Sequence, residues 1–318
     1  MAKLLNLIKT KFVYIIFLIF AVIPLTGMPS YQFYILERGM QNALVVLALV
    51  ILLGYTGQLS LGHAGLVAVG AYAYAIICTK LGISPWIALV LAPIITGGVG
   101  ALLGIPSFKL TGPFLVVNTI AFGEIIRILI LNNEKITGGP YGLTGMKTIL
   151  SGTSFYYFLL VVLVFVSIGT LRLSKSRIGL AFKAIKEDEV AAEIMGVDVH
   201  RYKLLSFVIS SVLAGLAGVF FANLQGYLNP DSFTFAESAT YLLMVVMGGM
   251  SNVTGAILSS SIVTALPEIL RFLTKGRMVV YALVLLLYLR FSHSLSTDFF
   301  KKLFKGFGSK NVKSNTGN

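Results

Sequence analysis

The chain has 318 residues, 57% hydrophobic and only 12% charged, with a net charge of +13 and a mean hydropathy of +0.89. Soluble domains carry about 25% charged residues, so a water-soluble globule is excluded, as are disordered and fibrous chains. The remaining class is all-α: a polytopic transmembrane helical bundle.

A hydrocarbon core about 30 Å thick needs roughly 20 apolar residues of helix. In chain order, suitable stretches lie at 12–28, 38–54, 64–80, 86–105, 114–132, 155–172, 204–225, 237–251, 253–272 and 277–291. The third, eighth and last are the least distinct, so about 8–10 spans are predicted. The first follows Lys3, Lys9 and Lys11 like a signal peptide, but no small-x-small cleavage site follows, so it reads as an uncleaved helix. With both termini cytoplasmic, the inner side holds 17 cations, seven of them between Arg172 and Lys203, and the outer side holds six, Arg38 among them. This asymmetry follows the positive-inside rule and accounts for most of the net charge without a nucleic-acid partner. Residues 1–304 read as one transmembrane domain with a cytoplasmic loop at 173–203, and 305–318 as a disordered cytoplasmic tail.

Catalytic signatures are missing. No stretch fits the phosphate-cradling pattern G-x-x-x-x-G-K-[ST]; Gly142 to Thr148 comes nearest and has a Met before its Lys. His63, His200 and His293 are dispersed without metal-ligand spacing, and the single Cys78 excludes a disulfide framework. Neither enzyme activity nor a cofactor or metal is expected, which leaves movement of a solute across the membrane.

Four features stand out. Gly54-Tyr-Thr-Gly-Gln-Leu-Ser-Leu-Gly-His-Ala-Gly65 cannot be a continuous lipid-facing helix. It is either a turn whose glycines let helices pack, or a solute-lining break exposing Gln58, Ser60 and His63. Gly97, Gly98, Gly100 and Gly104, with Ala214, Gly215 and Gly218, form small-residue series for close helix packing. Glu124/Arg127 and Glu268/Arg271 place opposite charges three apart inside spans, as structural pairs or as solute contacts. The inner loop concentrates five acids, Glu187, Asp188, Glu189, Glu193 and Asp198. Val190, Ile194 and Val197 recur there at helical spacing and Gly196 is a natural stop, so residues 181–200 are predicted to hold an amphipathic helix that seeks a protein partner.

Ala191-Ala192-x-x-x-Gly196 resembles the core of the EAA-type cytoplasmic loop of ABC importer permeases. The order of Gly54–Ala64, Phe122–Arg127, Thr137–Gly145, Lys183–Glu189, Arg201–Phe207, Pro230–Phe235 and Met247–Met250 is similar to the LivM-type branched-chain amino acid permease family. Two departures are Val190 where the general pattern has an acid, with Glu189 one place back, and the absence of the Leu-Pro that ends it. The resemblance implies a bacterial cytoplasmic (inner) membrane subunit that translocates branched-chain amino acids. It also implies a sister permease, two cytoplasmic ATPase subunits that hydrolyse the ATP, and an extracytoplasmic solute-binding protein. Asp188, Glu189, Ala191, Ala192 and Gly196 would contact the ATPases. Gln58, Ser60, His63, Asn118, Thr119, Glu124 and Arg127 would line the translocation pathway. Rival readings are a related permease for urea, short amides or other amino acids, an ion-coupled secondary transporter, and a structural membrane protein. The ion-coupled rival needs an intramembrane carboxylate free of a cation, whereas Glu124 and Glu268 each precede an arginine.

Overall fold

The computed structural model describes residues 17–18, 20–22, 24, 30–107 and 112–269. The span at 277–291, Arg271 of the second Glu-Arg pair and the tail from 305 lie outside the described residues. The chain forms two compact units, Met1–Leu266 and Pro267–Asn318, the second described only at 267–269.

Helix α1 spans Ser30–Leu49 and continues into a π-helical stretch, Val50–Tyr55. It begins eight residues before the predicted span because the Glu37-Arg38 step is carried inside the helix. Arg38 is held there by protein, its guanidinium carbon lying 4.4 Å from the centre of the Phe221 ring. A non-helical segment leads to α2 (His63–Thr79), then α3 (Pro85–Ser107) and α4 (Pro113–Asn132), which has proline at its N-terminus. A short helix, α5 (Glu134–Thr137), precedes α6 (Thr153–Leu173). The loop that follows holds α7 (Arg177–Glu187) and α8 (Glu189–Ile194). The central helix α9 (Val199–Gln225), α10 (Phe235–Gly248) and α11 (Val253–Ile269) complete the described chain. Two-residue strands β1 (Leu143–Thr144) and β2 (Tyr227–Leu228) pair antiparallel at the end of the bundle remote from α7 and α8.

Among the described residues, five helices are long and apolar enough to cross a membrane: Tyr31–Tyr55, Pro85–Ile105, Pro113–Asn132, Thr153–Leu173 and Val199–Gln225. The fold class read from the sequence holds: the protein is an all-helical polytopic bundle. Two of the indistinct spans prove to be short helices. His63 at the start of α2 bonds to Ser210, well inside α9, and Ala64 N–H of the same turn donates to Ser238 Oγ in the first turn of α10 (3.0 Å). Past the other end of α10, Ser251 Oγ donates to Gly54 O (2.8 Å). Helices α2 and α10 therefore meet near their N-termini inside the bundle, and neither supplies the roughly 20 residues of a full crossing.

Helix α9 holds the bundle together. Gly97, Gly100 and Gly104 of α3 face Val212, Ser211 and Leu204 of α9, and Gly218 of α9 packs on the backbone of α2 at Val67 to Ala71. The predicted packing role of these glycines is seen, except that Gly98 faces open space. A Cβ at Gly70 would strike the backbone of Gly215. Gly70→Val must push α2 off α9, an overpacking cost of about 1–3 kcal/mol. Its thermal unfolding midpoint in detergent is expected to drop by several degrees, while Gly98→Val leaves it unchanged.

Candidate functional site

Three features build the site: the broken segment 56–62, the loop helices α7 and α8 beside it, and, toward the other end of the bundle, the charged face of α4. The break is legible in its glycines, but its anchoring is not. After Tyr55 the chain turns alongside the start of α9. Gln58 Nε2 donates to Ser206 Oγ at 2.7 Å and lies 3.3 Å from Lys203 O. Ser210 has one hydroxyl proton and gives it to Ala48 O (2.9 Å), so it accepts from His63 Nε2–H at 2.8 Å. His63 Nδ1 then accepts the Ser60 hydroxyl at 3.0 Å, which sets a neutral imidazole with the proton on Nε2. Leu61 N–H donates to Thr119 Oγ1 (3.1 Å), tying the break to α4. Gln58, Ser60, His63 and Thr119 are all buried, His63 and Thr119 completely. Their polar atoms satisfy one another and the non-helical backbone, the condition for a broken helix inside a membrane.

The loop departs from the single predicted helix over 181–200. Asp188 ends α7 in extended conformation, and its carboxylate accepts from Val190 N–H (2.9 Å) and Ala191 N–H (3.0 Å), capping α8. The result is a helical hairpin with a small core of Ile185, Ala192 and Val199. Of the predicted apolar stripe, Val197 packs against this core, whereas Val190 and Ile194 point outward beside Met195, with Ile194 80% and Met195 83% exposed. Gly196 takes φ +85, and a Cβ there would meet nothing within 4 Å.

Two lysines tie the hairpin to the break. Lys186 Nζ donates to Gly54 O at 2.7 Å. Lys203, 5% exposed, pairs with Glu189 at 2.6 Å, and its own carbonyl faces Gln58. Neither lysine is marked in the sequence, where both look like ordinary positive-inside charges.

Helix α4 is the least buried of the five long helices, with 17% of its most apolar window inside the protein against 61% for Val199–Gln225. It carries Asn118, Glu124 and Arg127, all partly buried. Arg127 bonds Glu124 Oε1 through Nε (3.0 Å) and through a terminal nitrogen (2.6 Å), as the spacing predicts. Its other terminal nitrogen pairs with Asp231 at 3.1 Å, a partner 104 residues away. One guanidinium between two carboxylates leaves this cluster with a net charge of −1.

Glu37 and Glu237 also lie within helices, and Glu37 forms no ion pair among the described residues. Unlike Glu124, which pairs with Arg127, Glu37 has no arginine partner among the described residues. No group of three or more potential metal-binding side chains occurs among the described residues.

These features define a multi-pass helical membrane protein with interrupted helices and an apolar-tipped hairpin at one end. The chain belongs to the family described as the permease component of the branched-chain amino acid transport system, whose model matches residues 31–289. It is 37% identical over 255 residues to the high-affinity branched-chain amino acid transport system permease protein LivM of Salmonella typhimurium, and 36% identical to LivM of Escherichia coli. Each match covers 71% of this chain and 60% of the relative, so the matched region spans less than two thirds of those proteins. A probable LivH permease of Methanocaldococcus jannaschii is 27% identical over 242 residues, covering 70% of this chain and 75% of the relative. No solved structure matches the chain.

Proposed function

We propose that this protein is a membrane-spanning permease subunit of an ATP-binding-cassette importer that carries branched-chain amino acids across the bacterial cytoplasmic membrane. It works beside a sister permease, with two ATPase subunits on the cytoplasmic face and an extracytoplasmic solute-binding protein on the other. The hairpin end and both termini lie in the cytoplasm. One observation supports the coupling role most directly: the hairpin presents Val190, Ile194 and Met195 to solvent while its base is bonded to Gly54, just before the break, through Lys186 and to Lys203 of α9 through Glu189. An apolar tip left uncovered by the described residues suits a groove on an ATPase. Asp188 shapes that tip as the cap of α8, Ala191 and Ala192 build it, and Gly196 closes it.

ATP-driven closure of the ATPases would move the hairpin as a lever and shift the break and α10 against α9, alternating access to the pathway. We place the pathway along the exposed face of α4, with Asn118, Glu124 and Arg127 as lining and Asp231 added to them. Gln58, Ser60, His63 and Thr119 hold the break against α9 and α4 in this conformation and support that lining from behind. A zwitterionic solute suits a cluster with one cation between two anions.

Glu189→Gln removes the partner of a buried ammonium, whereas Lys203→Met removes the charge itself. Breaking a buried pair from one side costs about 3–5 kcal/mol, and the half-exposed Glu189 lowers that toward about 1–2 kcal/mol; apolar replacement of the buried ion is close to neutral. Glu189→Gln is therefore expected to destabilise the subunit in thermal unfolding, and Lys203→Met to fold normally while ATP hydrolysis proceeds with reduced uptake. Normal coupling in Lys203→Met would show that the hairpin does not act through this link.

A further inference from the structure

At the end of the bundle opposite the hairpin, a cavity of about 450 Å³ opens between α1, α6, the end of α9 and the loop before α6. Its size falls in the roughly 300–1,000 Å³ range of small-molecule sites. Aromatic walls come from Phe33, Tyr34 and Phe155, and Glu37 is its carboxylate. This cavity lies apart from the pathway assigned to α4: none of its described lining residues belongs to α4, α10 or the break.

A carboxylate within a membrane helix is costly unless water or a partner faces it, and such groups mark binding and transport sites. Among the described residues Glu37 has no ion-pair partner. Its neighbour Arg38 stacks on Phe221 and does not pair with it, and the four ion pairs among the described residues leave Glu37 out. Tyr34 gives its hydroxyl proton to Gln225 (2.9 Å), and Asn223 donates from Nδ2 to Val219 O (2.8 Å) while its Oδ1 accepts from Ile149 N–H, so these donors do not compensate the charge. One anionic group with aromatic faces and the hydroxyl-bearing Thr148 and Ser151 beside it selects a cation. A divalent metal would need several carboxylates, and the described lining has one. An organic ammonium satisfies all three features: charge to Glu37, hydrogen bonds to hydroxyl oxygens, and adjoining carbons against the rings.

We propose that this cavity is a binding site for a primary ammonium group, with Glu37 as its counter-ion. The proposal does not depend on which solute the subunit carries. The same chemistry is offered by a free amino acid and by the head group of an aminophospholipid.

The test uses the assembled transporter without its binding protein, in nanodiscs of phosphatidylcholine, which has no primary amine. Radiolabelled leucinol, an amine without a carboxylate, is expected to bind saturably. Leucine and ethanolamine should compete and 4-methylpentanoate, which lacks the amine, should not. Glu37→Gln should weaken binding at least tenfold and Glu37→Asp less. Should Glu37→Gln fail to assemble, Ser151→Ala with Thr148→Val provides the second variant, with an expected loss of several-fold. Repeating the measurement in phosphatidylethanolamine separates the two sources: reduced leucinol binding identifies the lipid head group as occupant, and unchanged binding identifies the soluble amine. Competition by 4-methylpentanoate or by sodium as strong as by leucine, undiminished binding in both the Glu37→Gln and the paired hydroxyl variants, or no saturable binding in phosphatidylcholine would overturn the proposal.

Discussion

Ile194→Glu is expected to lower ATP-driven uptake at least tenfold while the subunit accumulates in the membrane at its normal level. The two parts of this expectation have separate causes. Ile194 is 80% exposed and contributes nothing to the hairpin core, so the isolated subunit loses little; exposed substitutions fall within about ±0.5 kcal/mol. Docked in an apolar groove, the new carboxylate would lose water without gaining a partner. Apolar anchors of this kind contribute about 2 kcal/mol or more, and tenfold corresponds to about 1.4 kcal/mol. Ala192→Glu is the contrasting variant, because Ala192 is 4% exposed in the hairpin core and its replacement should unfold the hairpin itself. Co-purification of the ATPases with each variant, set beside its thermal stability, distinguishes a lost contact from a lost fold. Wild-type uptake by Ile194→Glu would remove the hairpin tip from the docking surface.

His63→Leu is expected to carry the largest effect within the bundle. The imidazole is fully buried and donates to Ser210 while accepting from Ser60. Leucine fills much of its volume but leaves the Ser60 hydroxyl without that acceptor and Ser210 without that donor. At about 1–3 kcal/mol for each buried polar group left unmade, the loss reaches about 2–4 kcal/mol. His63→Gln keeps a donor in reach of Ser210 and is expected to recover part of it. Thermal unfolding of the two variants measures the difference directly. A His63→Leu variant as stable as the wild type would mean that the break is held by its backbone and glycines alone.

Most of the bundle is legible in the sequence because apolar length and helix packing are local signals: 86–105, 114–132, 155–172 and 204–225 lie within helices of nearly the same bounds. The misplaced start of α1 has a specific cause. Glu37 and Arg38 interrupt a hydropathy window, yet a charge stacked on Phe221 does not interrupt a helix. The single predicted loop helix is divided because Asp188 bonds its own following amides, a side-chain choice that apolar periodicity does not register. Glycines and polar residues at 54–65 announce a break, but the partners Lys186, Lys203, Ser206 and Ser210 come from 130 or more positions away. Asp231 beside Arg127 is hidden for the same reason. Spacing reveals contacts within one helix; contacts between helices must be seen in three dimensions.

In the proposed mechanism, energy for transport arrives from ATP through the hairpin. The most direct test is uptake of radiolabelled leucine by proteoliposomes holding this subunit, its sister permease, the ATPases and the binding protein. Uptake that requires ATP, stops with vanadate and falls at least tenfold in Ile194→Glu is the predicted result. Uptake at the same rate without ATP, driven by an ion gradient across the vesicle, would rule this mechanism out.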